Sequence, residues 1–179
     1  MGLLIKDSSL ELWEEVIRKA EDRCAISLKQ NIESYLVSLL IRYTNQPEIA
    51  KQILATAFLE AIQLKHNQRN TALQYVGDKC LLYAGLFPQI AEKKQVKISY
   101  FVELGRSAYA AIDKTQSDDL FWSLALQFVG VMDVLQSIRE EPDLLPLQAY
   151  EQWTSLGSKR AFQILQTYTQ GLPIKHTIK

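Results

Sequence analysis

Apolar residues recur along most of this chain at spacings of three and four, the period of a helix that buries one face. From Ser27 onward, Ile32, Tyr35, Leu36, Leu39, Leu40 and Tyr43 form one such stripe. Thr44-Asn45-Gln46-Pro47 stops it, and Pro47 suits the first turn of a following helix. Ala50, Ile53, Leu54, Ala57, Phe58, Ala61 and Ile62 then repeat the pattern, and the short linker predicts an antiparallel pair. Upstream, Asp7-Ser8-Ser9 offers an N-cap to a helix carrying Leu10, Trp13, Val16 and Ile17. The opposite face of that helix, with Glu11, Glu14, Glu15, Arg18 and Lys19, reads as a solvated charge face. Lys65 to Asn70 reads as the next connection, with His66 exposed in it.

The central stretch, Tyr75 to Ala110, places a glycine inside each of two stripes. Leu73, Val76, Gly77, Cys80, Leu81 and Ala84 share one face; Ile98, Phe101, Val102, Gly105, Ala108, Tyr109 and Ile112 share the other. A glycine within a helix costs about 1 kcal/mol relative to alanine, so propensity does not explain it. Close approach does, because a residue without Cβ lets two helices cross at short distance. Gly77 and Gly105 are therefore expected in tight crossings, and a single crossing could hold both. Between the stripes, Gly85-Leu86-Phe87-Pro88 reads as a break: Pro88 disfavours the α conformation at Phe87, and Gly85 suits a left-handed cap.

Further on, Ser117-Asp118-Asp119 precedes a hydrophobic run from about Leu120 to Arg139. Phe121, Leu124, Phe128, Val131, Leu135 and Ile138 cover one face, and Trp122, Ala125, Val129 and Met132 the adjacent one. Coverage that wide predicts an enclosed helix. Pro146 opens another helix, interrupted at Gly157, and Ala161, Ile164, Leu165 and Tyr168 form a final stripe before Gly171-Leu172-Pro173. No stretch reads as a strand. The pattern predicts an all-α fold, a single-domain bundle of about seven helices over residues 1–179, with a central hydrophobic helix near 120–139. Residues 174–179 read as a short basic tail.

Composition narrows the partners. Twenty basic residues balance twenty acidic ones. A nucleic-acid or anionic-membrane partner is therefore not expected, since that affinity comes from many unbalanced lysines and arginines. No segment approaches the roughly 20 apolar residues of a membrane span. The two cysteines, Cys24 and Cys80, lack metal-ligand or redox spacing, which points to a cytoplasmic protein without disulfides. The start of the chain lacks the features of a signal peptide.

Candidate chemistry gathers around the glycines. Asp78, Tyr100, Glu103, Arg106 and Tyr109 could share a pocket in which the planar Arg106 fork grips a small anion. A structural alternative is an internal ion pair from Asp78 to Arg106. Asp133, with Gln127 a polar residue in the hydrophobic run near 120–139, is a second candidate because a buried carboxylate needs partners or a raised pKa. His66 and His176 are too isolated for nucleophilic or zinc chemistry, and no Glu-x-x-His pair suggests a di-metal core. No cofactor or metal site is expected. Three function classes follow. The leading one is a protein-interaction or homodimeric module, the second a binder of a small anionic ligand, and the third a carboxylate-dependent enzyme.

The string Gly-Asp, Gly-Leu-Phe-Pro, Tyr-Phe-Val-Glu-Leu-Gly-Arg-Ser-Ala-Tyr resembles a bacterial protein family in which Gly-Asp, Gly-Phe-Phe-Pro, Tyr-Tyr, Gly and Ala-Tyr recur in that order. The resemblance covers the central part of the chain. It implies a role for Gly77, Asp78, Gly85, Phe87, Pro88, Tyr100, Gly105 and Tyr109, with Gly77, Gly85, Pro88 and Gly105 structural, and it implies no activity.

Overall fold

The computed structural model describes residues 2–45, 54–114, 119–140 and 144–169, with side chains from Ser9 onward except Glu92. Among these residues the regular structure is ten α-helices without a strand: α1 (Gly2–Cys24), α2 (Gln30–Asn45), α3 (Leu54–Gln63), α4 (His66–Leu86), α5 (Gln89–Lys93), α6 (Ile98–Ala110), α7 (Leu120–Leu126), α8 (Phe128–Gln136), α9 (Pro146–Leu156) and α10 (Lys159–Tyr168). The all-α expectation holds. The helices beyond the expected seven are the short α5 and the products of two divisions, at Gln127 and at Gly157.

Two helices form the centre. In α4 every residue from Cys80 to Gly85 is buried, so this half of the helix has no solvent face. In α8 the buried residues are Phe128 and Val131 to Gln136. The expected central helix near 120–139 is thus present, but it bends at Gln127 (φ −103°, ψ 16°). The backbone bonds Gln127 N–H to Ser123 O (2.9 Å) and Val131 N–H to Gln127 O (2.9 Å) continue through the bend. It lets α7 lie along α6 and α2 while α8 runs between α4 and α1.

Glycines set the closest packing. A Cβ on Gly77 would stand 2.5 Å from the Tyr109 ring, and one on Gly105 would stand 2.6 Å from Phe128 and 2.8 Å from the Cys80 Cβ. Gly77 of α4 thus admits Tyr109 of α6, while Gly105 of α6 admits Phe128 of α8 together with Cys80 of α4, and neither glycine faces the other. Gly85 departs from expectation. It lies within α4 rather than in a left-handed cap, and its missing Cβ makes room for Leu135 of α8, which would otherwise approach to 2.5 Å. The helix ends at Leu86, where Phe87 (φ −128°, ψ 54°) precedes Pro88.

Other local expectations are revised. Helix α1 begins at Gly2, so Asp7-Ser8-Ser9 lies inside it and does not cap it. Helix α4 begins at His66, so Lys65 to Asn70 is mostly helical. Helix α2 packs on α1 and α3 packs on α4, so the expected α2–α3 hairpin is not the main contact. Pro47, Ala50 and Ile53 fall outside the described residues, as do Ser117, Asp118 and the tail from Gly171.

Helices α9 and α10 form a hairpin with its own small core of Leu144, Ala149, Ala161, Ile164 and Leu165, flanked by Tyr150 and Trp153. Gly157 turns it with φ +71°, a left-handed conformation that a side chain would strain. Arg23 ties the other end of the molecule: its Nη1 donates to the Ser137 (2.8 Å) and Ile138 (3.1 Å) carbonyls at the C-terminus of α8. Among the described residues no helix is long and apolar enough to cross a membrane. Cys24 and Cys80 are both free and buried.

Candidate functional site

Asp78 follows Gly77 on α4 and is buried in a cage of donors. Its Oδ1 accepts from Tyr35 Oη (2.5 Å) and Tyr109 Oη (2.7 Å), and its Oδ2 from Arg42 Nη2 (3.4 Å). Gln74 Nε2 donates to the Tyr35 oxygen (3.0 Å). The rings close the cage: Phe121 stacks on Tyr109 and meets Tyr35 edge-on. Burial lifts the Asp78 carboxyl above the usual carboxylate range, while the two phenols and the guanidinium act in the opposite sense. Burial and the neighbouring Asp78 charge lift both phenols well above their ordinary value, so both remain protonated donors. The arrangement ties α2, α4 and α6 together, its carboxylate oxygens occupied by the protein's own donors.

The expected Asp78–Arg106 pair is not formed. Gly105 faces α4, so Arg106, one residue and about 100° further round, points away from it and is exposed. Tyr100, Glu103 and Arg106 recur at intervals of three on the outer face of α6, and all are exposed. Of the candidates around the glycines, the structure brings together only Asp78 and Tyr109. Tyr35 and Arg42 are partners that sequence reasoning missed. Their signal is the seven-residue spacing, which places an arginine two turns along α2 from a tyrosine of its buried stripe.

Asp133 is buried on α8 at the N-terminus of α10. Its Oδ1 accepts from Ser158 Oγ (2.6 Å), and its Oδ2 from the Arg160 backbone N–H (3.4 Å). Ser158 in turn caps α10 by accepting from the Ala161 N–H (3.0 Å). Burial pushes the Asp133 carboxyl up to about 6, against the opposing pull of these donors. Beside it, Arg160 Nη1 donates to Gln136 Oε1 (2.9 Å), and Gln136 Nε2 donates to the Ala84 carbonyl (2.9 Å). This second network docks α10 on α8 and α4. Among the described residues no cluster of three or more His, Cys, Asp or Glu side chains gathers to hold a metal.

Two larger concavities lie elsewhere among the described residues, one of them a shallow depression of about 690 Å³ between α3 and α4. A cleft of about 520 Å³ separates α5 and the start of α6 from α9, floored near the ends of α4 and α8 by Pro88 and Arg139. Its volume lies within the roughly 300–1,000 Å³ usual for small-molecule sites. Ala91, Val96, Ile98, Leu144 and Leu156 give it apolar walls. Helix α9 turns a polar stripe to it: Gln148, Glu151, Gln152 and Ser155 fall at intervals of three and four. Gln148 is held by the Leu145 N–H (3.2 Å), and Glu151 pairs with Lys97 across the cleft (3.1 Å). Gln152 is different. Only 5% exposed, it has a buried Oε1 that makes no hydrogen bond among the described residues. A buried acceptor without a donor costs about 1–3 kcal/mol.

The opposite wall carries the N-terminus of α6. Its N-cap position is Lys97, whose side chain makes no capping bond. The first-turn N–H groups of Ile98 and Ser99, both lining the cleft, have no intrahelical acceptor. None of these residues stands out in the sequence. A polar stripe on a helix ordinarily reads as its solvent face, and only the fold turns that of α9 toward another wall. No family model, curated protein or solved structure matches the chain.

Proposed function

We propose that this protein is a small-molecule-binding helical module whose ligand sits in the cleft between α5–α6 and α9. The observation that carries this reading is a cleft of about 520 Å³ whose apolar walls face a polar stripe of α9, the size and lining of a small-molecule site. The apolar walls favour an apolar body, and the Lys97–Glu151 pair borders the cleft. The carboxylate-enzyme alternative has less support, because the oxygens of Asp78 and Asp133 are already engaged by protein donors. A reducing, cytoplasmic setting belongs to the same reading, supported by two cysteines kept as buried thiols.

A thermal-shift screen against small metabolites tests the proposal. A ligand at about 100 times its dissociation constant adds about 2.7 kcal/mol of stability, visible as a raised melting temperature. A hit lost in Ser155→Trp, which fills the cleft from an exposed position, supports the cleft, and one retained at full strength places binding elsewhere.

A second reading, a protein-interaction or homodimeric module, rests on a different surface. Phe121 and Trp153 themselves pack internally, on Tyr109 and Phe162, but Trp122 and Leu126 of α7 and Leu145 and Leu147 at the start of α9 are exposed. A second set of exposed apolar residues, Leu59, Ile62, Leu64 and Tyr75, lies along α3, α4 and their connection. Sedimentation at rising concentration tests this. A dimer abolished by Leu59→Asp would support it, and a monomer throughout would set the homodimer aside.

A further inference from the structure

We infer that the α9–α10 hairpin is a movable wall of the cleft, pivoting on its joint with α8 and held shut by the Lys97–Glu151 pair. This rests on the reading of the cleft as the ligand site and says how a ligand enters it.

The hairpin is built to move as one piece. Its core of Leu144, Ala149, Ala161, Ile164 and Leu165 is separate from the main core, so the two helices can leave the body without parting from each other. Parts with cores of their own shift against one another unless the interface between them is large and apolar. The joint here is polar. Ser158 and Arg160 on the hairpin meet Asp133 and Gln136 on α8, all four buried, through hydrogen bonds of 2.6, 3.4 and 2.9 Å. Leu156 of α9 adds an apolar tie to the main core and is itself only partly buried. A gap of about 30 Å³ remains between Leu144 and Arg160 of the hairpin and Leu86, Pro88 and Leu135 of the body.

The closed position carries costs that opening removes. Gln152 Oε1 is sealed from water and accepts no hydrogen bond among the described residues, and water would serve it once the wall lifts. Burial at the joint pushes the Asp133 carboxyl up to about 6, so near neutral pH the closed joint holds a charge that water solvates better. Opposing both is the Lys97–Glu151 pair, which spans the cleft at 3.1 Å between exposed side chains. An exposed pair shifts an equilibrium by about 1.5–5-fold, enough to bias the wall shut and too little to fix it.

Native-state hydrogen exchange of the full chain, read by NMR at single amides, tests this without a ligand. The Arg160 N–H reports the joint, because its acceptor is Asp133 on the other side. Leu165, inside the hairpin's own core, reports whether the hairpin stays intact. A wall that lifts whole exposes the Arg160 amide with little dependence on low urea concentrations while Leu165 stays protected. Glu151→Ala, at an exposed position, should speed Arg160 exchange by about 1.5–5-fold. A bis-maleimide bridge in the double variant Lys97→Cys/Glu151→Cys should slow it by roughly tenfold or more. Arg160 exchange that occurs only together with Leu165, with a steep urea dependence, would show that the hairpin leaves only by unfolding and would overturn the movable wall. A rate indifferent to both the bridge and Glu151→Ala would belong to fraying of the first turn of α10 and would overturn it as well. A rate slowed by the bridge but unchanged in Glu151→Ala would keep the wall and overturn the role of the ion pair. Each of these failures leaves the cleft itself to the metabolite screen, whereas an empty screen removes the ligand site and leaves the measured motion standing.

Discussion

Tyr109 shows how one side chain can serve two helices. Its ring fills the space left by Gly77, and its hydroxyl donates to Asp78 on the same helix as that glycine. Tyr109→Phe keeps the ring and removes the donor from a buried carboxyl. It should cost about 1.5–3 kcal/mol, read from urea unfolding midpoints. Gly77→Ala should destabilise by about 1–3 kcal/mol despite the gain in helix propensity, because the fully buried, hydrogen-bonded ring has no room to retreat. Gly130→Ala is the contrast. A Cβ there meets nothing within 4 Å, so the same substitution should stabilise by about 0.5–1 kcal/mol. Equal effects at the two glycines would contradict the role given to close packing. The close approaches at Gly77 and Gly105 were legible in the sequence because propensity disfavours glycine inside an apolar helical stripe, and close packing accounts for it there. Arg42 as the partner of Asp78 was not, since pairing depends on which face of α6 turns outward.

Elements were legible where their stripes are continuous and least so at their ends. The run from 120 to 139 reads as one helix because both α7 and α8 are apolar, and nothing in Gln127 itself announces a bend. Gly85 misleads for a related reason. A glycine two residues before a Phe-Pro pair suits a cap, yet the need for space beside Leu135 accounts for it instead. The docking of α10 on α8 makes a pH prediction. Asp133 has a folded pKa of about 6 against an ordinary value of 3.8, so the folded state binds the proton more tightly. Its favourable contribution is complete below about pH 4 and is lost as pH rises through about 6. Stability from this group therefore falls between those limits. Melting temperatures across that window should show a shallower slope for Asp133→Asn than for wild type. Asp78 and Glu21 shift in the same direction and keep part of the slope in the variant. Identical slopes would mean that Asp133 does not titrate in this range.

At the scale of the whole molecule, the two buried acidic networks and the cleft divide the work. Asp78 joins α2, α4 and α6, and Asp133 joins α8 to α10; both hold the fold, and both are engaged by protein donors. The cleft is bounded by elements that these networks position, and it joins apolar walls to a polar stripe of α9. Such a site is illegible in sequence, because Gln152 is polar on a polar stripe until α9 is set against α6. The thermal-shift screen repeated on Ser155→Trp, which puts an indole into the cleft from an exposed position, is the most direct test. A metabolite that raises the melting temperature of the wild type should fail to raise that of the folded variant. A shift retained at full strength would place binding outside the cleft and contradict the assignment.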